Sequence, residues 1–190
     1  MSPTAGWSSR LRMPDDDELR RVLSELQRRG AIGPVDLDSA IAHADDFVAA
    51  LPLDAHRVVD LGSGGGLPAL VVGVRRPDLE LVLVERRAKR ADLLRYAVRA
   101  LGIAERVVVT EVDASRVADV LGLVADVVTA RSFGAPAVVM PLAASVLPSG
   151  GMLLVSDPPD RAARWTPDEL ATWGFVEIDH VGGVRRLRRR

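Results

Sequence analysis

Apolar residues recur at helical intervals near the amino terminus and in short blocks further on. Leu19, Val22, Leu23 and Leu26 lie three and four positions apart in a charged stretch, which predicts an amphipathic helix over 15–29 with acidic residues in its first turn and Gly30 beyond its end. Ile41, Phe47, Val48 and Leu51 mark a second helix over 38–51, with Gly33 and Pro34 breaking the chain before it and Pro52 after it. From there the pattern alternates. Apolar strands are expected at 57–61, 81–85, 107–112, 126–131 and 152–156, and helices at 68–76, 88–101, near 115–121 and at 137–147. Thr166-Pro167-Asp168-Glu169 has capping-box spacing with proline at the first helical position, and 175–180 and 184–188 read as a hairpin across Gly182-Gly183.

Strands alternating with helices imply right-handed crossovers and a mostly parallel sheet covered on both faces, an α/β architecture. With 190 residues the chain is expected to form one domain: two amino-terminal helices (15–52), a ligand-binding core (57–156), and a closing helix and hairpin (166–190).

The composition, 48% apolar and 27% charged, is that of a soluble globular protein. The apolar run from Leu67 to Val74 is far too short to cross a bilayer, and residues 1–18 have no apolar core of a secretory signal. Cysteine is absent, and His43, His56 and His180 are scattered, so neither a disulfide framework nor a thiolate or histidine metal site is expected. These features fit a cytoplasmic protein without membrane or metal. The net charge of −1 hides an uneven distribution: Asp15 to Glu18 are acidic, while Arg185, Arg186, Arg188, Arg189 and Arg190 form a basic end, read either as a frayed, solvated terminus or as a source of non-specific attraction for RNA. Lys89 is the only lysine among 25 basic residues.

The segment with most chemical information is Asp60-Leu61-Gly62-Ser63-Gly64-Gly65-Gly66-Leu67, a strand end running into a glycine loop. Glycine lets a ligand approach the backbone, and in open α/β sheets ligands settle beyond the carboxyl ends of the strands. Counting from Gly62, Leu67 stands where a dinucleotide fingerprint needs its last glycine, and Gly66-Leu67-Pro68 lacks the lysine of a P-loop. An acidic residue two before the first glycine disfavours a pyrophosphate and suits a ligand with an ammonium group. Glu85, at the second strand's end, is placed to accept both hydroxyls of a ribose, although a solvated strand-end acid is the plain alternative. Asp113, with Ala114 beside it after the third strand, is placed to accept from an adenine amino group.

These residues resemble a known family. Asp60 to Pro68, Glu85 with Ala88-Lys89-Arg90, and Val128-Thr129-Ala130-Arg131 are similar to the RsmG/GidB family, the 16S ribosomal RNA guanine-N7 methyltransferases. His43 and Asp46 match its His-x-x-Asp, and Pro148-Ser149-Gly150-Gly151 its turn before strand five. The resemblance implies a class I, Rossmann-like methyltransferase with a seven-stranded sheet ending in an antiparallel hairpin. It implies S-adenosyl-L-methionine as cofactor, held by Asp60, Gly62, Ser63, Gly64, Gly66, Leu67, Glu85, Asp113, Ala114 and Arg131. It implies the 16S rRNA of the small ribosomal subunit as partner, with Arg131 and Lys89 on the substrate side as candidate catalytic residues. Three departures stand out: no Asn-Leu-Thr element before the His-x-x-Asp, Val155-Ser156-Asp157-Pro158-Pro159 without the family's lysine after strand five, and a hairpin loop cut to Gly182-Gly183.

Guanine N7 carries an in-plane lone pair, so methylating it needs no general base and catalysis is largely positioning. Arg131 would orient the base or a phosphate, with an ion pair to Asp126 or Glu85 as its alternative role. A small-molecule methyltransferase of the same fold and a non-catalytic S-adenosylmethionine-binding protein are the competing readings.

Overall fold

In the computed structural model, residues 14–122, 125–156 and 164–190 are described. Asp157, Pro158 and Pro159, where the sequence departs from the family after strand five, lie outside them, as do residues 1–13. Helix α1 (Asp16–Arg28) begins at a full capping box, in which Glu18 N donates to Asp15 Oδ1 and the Glu18 side chain accepts from Asp15 N. Helix α2 (Leu37–Ala50) is capped by Asp36. There follow β1 (Arg57–Leu61), α3 (Ala69–Arg75), β2 (Glu80–Val84), α4 (Ala88–Ala100), β3 (Val107–Thr110), a 3-10 turn (Ala114–Arg116), α5 (Val117–Leu121), β4 (Val127–Arg131), α6 (Pro136–Val146) and β5 (Met152–Ser156). Helix α7 (Pro167–Thr172) and the hairpin β6 (Phe175–Val181) and β7 (Val184–Arg189) close the chain.

The strands form one sheet in the order β3-β2-β1-β4-β5-β7-β6, with β1 to β5 parallel and β7 antiparallel to both neighbours. Strand alternation sends successive side chains into two cores. Val58, Leu81, Leu83 and Val127 face a cluster with Leu23, Leu26, Phe47 and Leu70 from the first three helices. Val59, Val82, Val128 and Leu153 face a second cluster with Val117, Met140 and Leu170 from the last three. The expected elements are all present with ends shifted by one or two residues. The chain doubles back between β1 and β4, so the carboxyl ends of these strands open the crevice where this class of sheet binds ligands.

Two short contacts fix the crevice walls. A Cβ on Gly65 would stand 2.7 Å from the Ala31 carbonyl oxygen, so the α1–α2 connection lies directly on the glycine loop. At the hairpin turn, Gly183 N donates to Asp46 Oδ2 at 3.0 Å and His43 Nδ1 lies 3.7 Å from the same oxygen. His43 and Asp46, two of the residues behind the family resemblance, thus brace the two-residue turn against α2.

Candidate functional site

The loop after β1 is wound by three glycines with left-handed backbone, Gly62 at φ 69°, Gly64 at 55° and Gly66 at 92°. Its hydrogen bonds tie it to β1 and β2. Ser63 N donates to the Val84 carbonyl at 2.9 Å, Ser63 Oγ to the Asp60 carbonyl at 3.1 Å, and Gly66 N to the Ser63 carbonyl at 2.7 Å. Glu85, 6% exposed, accepts from Gly64 N through Oε2 at 3.1 Å and from Arg87 N through Oε1 at 2.8 Å. One carboxylate therefore holds both the loop and the start of α4, and each oxygen keeps a further lone pair for a ligand.

Asp60 is buried beneath the loop. Its Oδ1 accepts from Thr129 Oγ1 at 2.6 Å, and its Oδ2 has no hydrogen-bond partner. Burial pushes the carboxyl up to about 6, opposed by the Thr129 and Ser63 hydroxyls and by the nearby Arg131. A buried carboxylate with one unmatched oxygen is a receptor for a cation.

A cleft of about 560 Å³ opens over this loop, within the range of small-molecule sites. Gly62, Glu85, Asp113 and Ala114 line it together, with Val84, Val112 and Leu142 as apolar wall. Asp113 accepts from Ser115 N and Oγ through Oδ1, at 3.0 and 2.8 Å, while its Oδ2 lies 3.5 Å from Arg86. A second cleft of about 280 Å³ continues past Gly62 to Ser63, Gly64, Leu67, Arg90 and Arg131, with Ala31 to Gly33 and Val35 opposite. Gly62, Arg90 and Ser132 line both, so one elongated ligand can span them. Gly66 supports the loop from behind, packed on Leu70 and Leu94, and lines neither cleft.

Arg131 stands at the end of β4 with no side-chain hydrogen bond or ion pair among the described residues. Its expected alternative partners are engaged elsewhere, Asp126 with the amides of His56 and Arg57, and Glu85 as above. Burial lowers the Arg131 pKa, and Asp60 opposes that shift. Burial lowers the His43 pKa and the Arg131 charge adds to that shift, while Asp46 opposes it.

Lys89 is a correction. It was expected on the rim of the glycine loop, but it lines a separate groove with Arg29, Asp92, Leu93 and Tyr96. Successive helical residues point about 100° apart, so when Arg90 faces the loop its neighbour Lys89 turns toward α1. Arg90 takes the expected place, its Nη1 being the atom nearest a Cβ built on Gly64, at 3.6 Å.

The basic carboxyl end differs from expectation too. Arg185 pairs with Glu177, Arg186 with Asp179, and Arg189 donates to the Ala144 and Leu147 carbonyls. Sequence reasoning also missed Phe133. Its ring lies on Gly62, where a Cβ would overlap Phe133 Cδ2, and it follows Ser132, a non-glycine residue at φ 51°. The signal was Arg131-Ser132-Phe133-Gly134, where polar residues and a glycine follow the fourth strand at once.

Comparison with known proteins agrees with this architecture. The family model described as GidB, rRNA small subunit methyltransferase G, matches residues 38–158. The chain is 38% identical over 164 residues to the ribosomal RNA small subunit methyltransferase G of Acidothermus cellulolyticus, covering 84% of this chain and 69% of that protein. It is 32% identical over 201 residues to the protein of that name from Clavibacter sepedonicus, covering 98% and 94%. Among solved structures, an O-methyltransferase family protein from Burkholderia thailandensis superposes with a TM-score of 0.59 at 21% identity, covering 91% of this chain and 68% of that one, a likeness of fold.

Proposed function

The chain belongs to the GidB family of small-subunit rRNA methyltransferases and is an S-adenosylmethionine-dependent methyltransferase, and we propose that it methylates N7 of a guanine in 16S ribosomal RNA. The observation that carries the site assignment is the joining of Asp60, Gly62, Glu85 and Arg131 around one loop at the sheet's switch point.

The residues fit the cofactor by their own geometry. The unmatched Asp60 Oδ2 suits the ammonium of an amino acid, and Glu85 has lone pairs left for a ribose diol. The Val84, Val112 and Ala114 wall, with the Asp113 carboxylate, suits an adenine. Gly62, Ser63, Gly64 and Leu67 would bring backbone close to the amino-acid end, with Gly66 shaping the turn. When bound, S-adenosylmethionine supplies a methyl group on a sulfonium, an electrophile that needs no metal. Asp60 anchors, Glu85 orients, and the apolar wall excludes water. Arg131 holds the acceptor or its phosphate from the far side, where its charge lies unpaired.

Arg87, Lys89 and Arg90, at the start of α4, likewise have no ion pair among the described residues, and with Arg131 they give the glycine-loop side a set of free cations for an RNA backbone. In this reading Lys89, on its outer groove, serves that attraction and not the acceptor. Among the described residues no helix is long and apolar enough to cross a membrane, and no group of metal-ligating side chains is present. The ribosomal substrate supports a cytoplasmic enzyme.

The test is calorimetry with S-adenosylmethionine, then transfer of labelled methyl to 30S subunits and mapping of the modified nucleotide. Binding with label on a 16S guanine N7 is expected. Binding with no transfer to the subunit would overturn the substrate.

A further inference from the structure

Away from both clefts, on the outer side of α4, lies the groove of about 410 Å³ that holds Lys89. Lys89, Asp92, Leu93 and Tyr96 follow at three- and four-residue steps, so α4 presents them on one face, and Arg29 at the end of α1 forms the facing wall. We propose that this groove takes a nucleotide of single-stranded RNA flanking the methylated guanine, its base stacked on the Arg29 guanidinium and its phosphate met by Lys89. The inference rests on the ribosomal RNA reading above.

Three observations carry it. First, the Arg29 guanidinium is already a fixed plane. Its carbon lies 4.8 Å from the centroid of the Tyr96 ring, and its Nε donates to Glu25 Oε1. The ring holds one face and the carboxylate one edge, and with 47% of the Arg29 side chain exposed the outer face is open to a planar group. RNA-binding proteins stack unpaired bases on aromatic rings and on guanidinium planes of this kind. Second, the charges of the groove favour a phosphate. Glu25 is shared by Arg28 and Arg29, and Asp92 is paired with Arg95, whereas Lys89 has no ion pair among the described residues. Leu93 and the Tyr96 ring are the apolar lining, which is little for a protein segment to bury. Third, Arg90, the residue after Lys89, lines both cofactor clefts. A strand with its guanine at the cleft has only the first turn of α4 to cross before it meets the groove.

Tyr96 is the one tyrosine of the chain, so incorporating 3-fluorotyrosine gives the full-length protein a single fluorine resonance at the groove. With S-adenosylhomocysteine bound, a single-stranded 16S fragment carrying the methylated position should shift that resonance saturably, and inorganic polyphosphate should shift it far less. Tyr96→Leu and Arg29→Lys should each raise KM for 30S subunits roughly tenfold, the loss of one stacked base. The lysine keeps the charge and loses the plane. Affinity for S-adenosylhomocysteine should hold within about twofold in both, and Tyr96→Phe, which keeps the ring, should keep the wild-type KM. Equal shifts from the fragment and polyphosphate, with Arg29→Lys at the wild-type KM, reduce the groove to a charge and overturn the base platform. A shift from 30S subunits with none from the fragment gives the groove to a ribosomal protein and also overturns it. No shift and unchanged KM, in a protein that labels 30S subunits, overturns the groove and leaves the substrate standing. A saturable shift by the fragment without any RNA methylation keeps the groove and removes the substrate.

Discussion

Two basic regions look alike in the sequence and are built oppositely in the fold. At the carboxyl end, carboxylates consume the arginines, Glu177 taking Arg185 and Asp179 taking Arg186, while two carbonyls take Arg189. At the glycine loop, Glu85 and Asp60 bind amides and a hydroxyl instead. Glu85 takes the amides of Gly64 and Arg87, and Asp60 takes the Thr129 hydroxyl. Arg87, Lys89, Arg90 and Arg131 are thereby left with charge to spend on a ligand. The number of arginines in a segment therefore says little about its reach for RNA, because what their neighbouring acids bind decides how many remain available.

The sharpest way to break this contrast is to remove the free cation nearest the chemistry. Arg131→Ala should lower kcat/KM on 30S subunits about a hundredfold, the scale of losing a charged hydrogen bond made in the transition state. Calorimetric affinity for S-adenosylmethionine should fall less than the rate does. Equal losses would make Arg131 a cofactor residue, and full activity would end its role at the acceptor.

Next is the acid that keeps the loop's cations free. Glu85→Ala removes the acceptor of two amides and the diol partner, and should weaken S-adenosylmethionine binding by roughly 1–3 kcal/mol. Glu85→Gln keeps an oxygen for one amide and should fall between the variant and the wild type. Affinity unchanged in both, by calorimetry, would detach Glu85 from the cofactor.

The fold was legible because its signals are local: apolar periods, breakers after each element, and a paired glycine turn for the hairpin. The loop was legible for the same reason, since glycines between an aspartate and a buried helix have few other uses. Lys89 was misplaced because one residue of helical phase decides which groove a side chain enters, and phase is set by packing on Leu94 and Ala97 in the core. Phe133 was missed because its contact with Gly62 spans the chain from β1 to β4, and no spacing rule carries such a distance. The carboxyl-terminal arginines misled because their partners sit across the hairpin or at the end of α6.

Asp60 offers an effect with a definite sign. Its carboxyl is pushed up to about 6 in the folded chain against an ordinary 3.8, so the native state keeps a proton that the unfolded chain releases between those values. Stability of the ligand-free protein should accordingly drop by about 3 kcal/mol as pH rises through that window, and stay level above it. Ligand binding runs the other way, because an ammonium group needs the ionised acid. S-adenosylhomocysteine affinity should be about tenfold weaker at pH 5 than at pH 7.5, and Asp60→Asn should flatten that dependence while raising Tm at neutral pH. A flat profile in the wild type would mean that Asp60 supports the loop without meeting the ligand.

The smallest effect tests the opening contrast most directly. Each phosphate contact by a cation contributes about 0.7–0.9 to the slope of log affinity against log salt. Replacing Arg87, Lys89 and Arg90 by alanine should therefore reduce the slope for a 16S fragment by about 2. Replacing Arg188 and Arg190, the carboxyl-terminal arginines outside the hairpin's pairs, should change it by less than about 0.5, because two charges on a terminal segment far from the cleft make few fixed contacts. Both variants leave the cores intact, so circular dichroism and Tm should match the wild type. If the two slopes fell equally, total charge would govern RNA attraction, and the different use of acids in the two regions would have no bearing on binding.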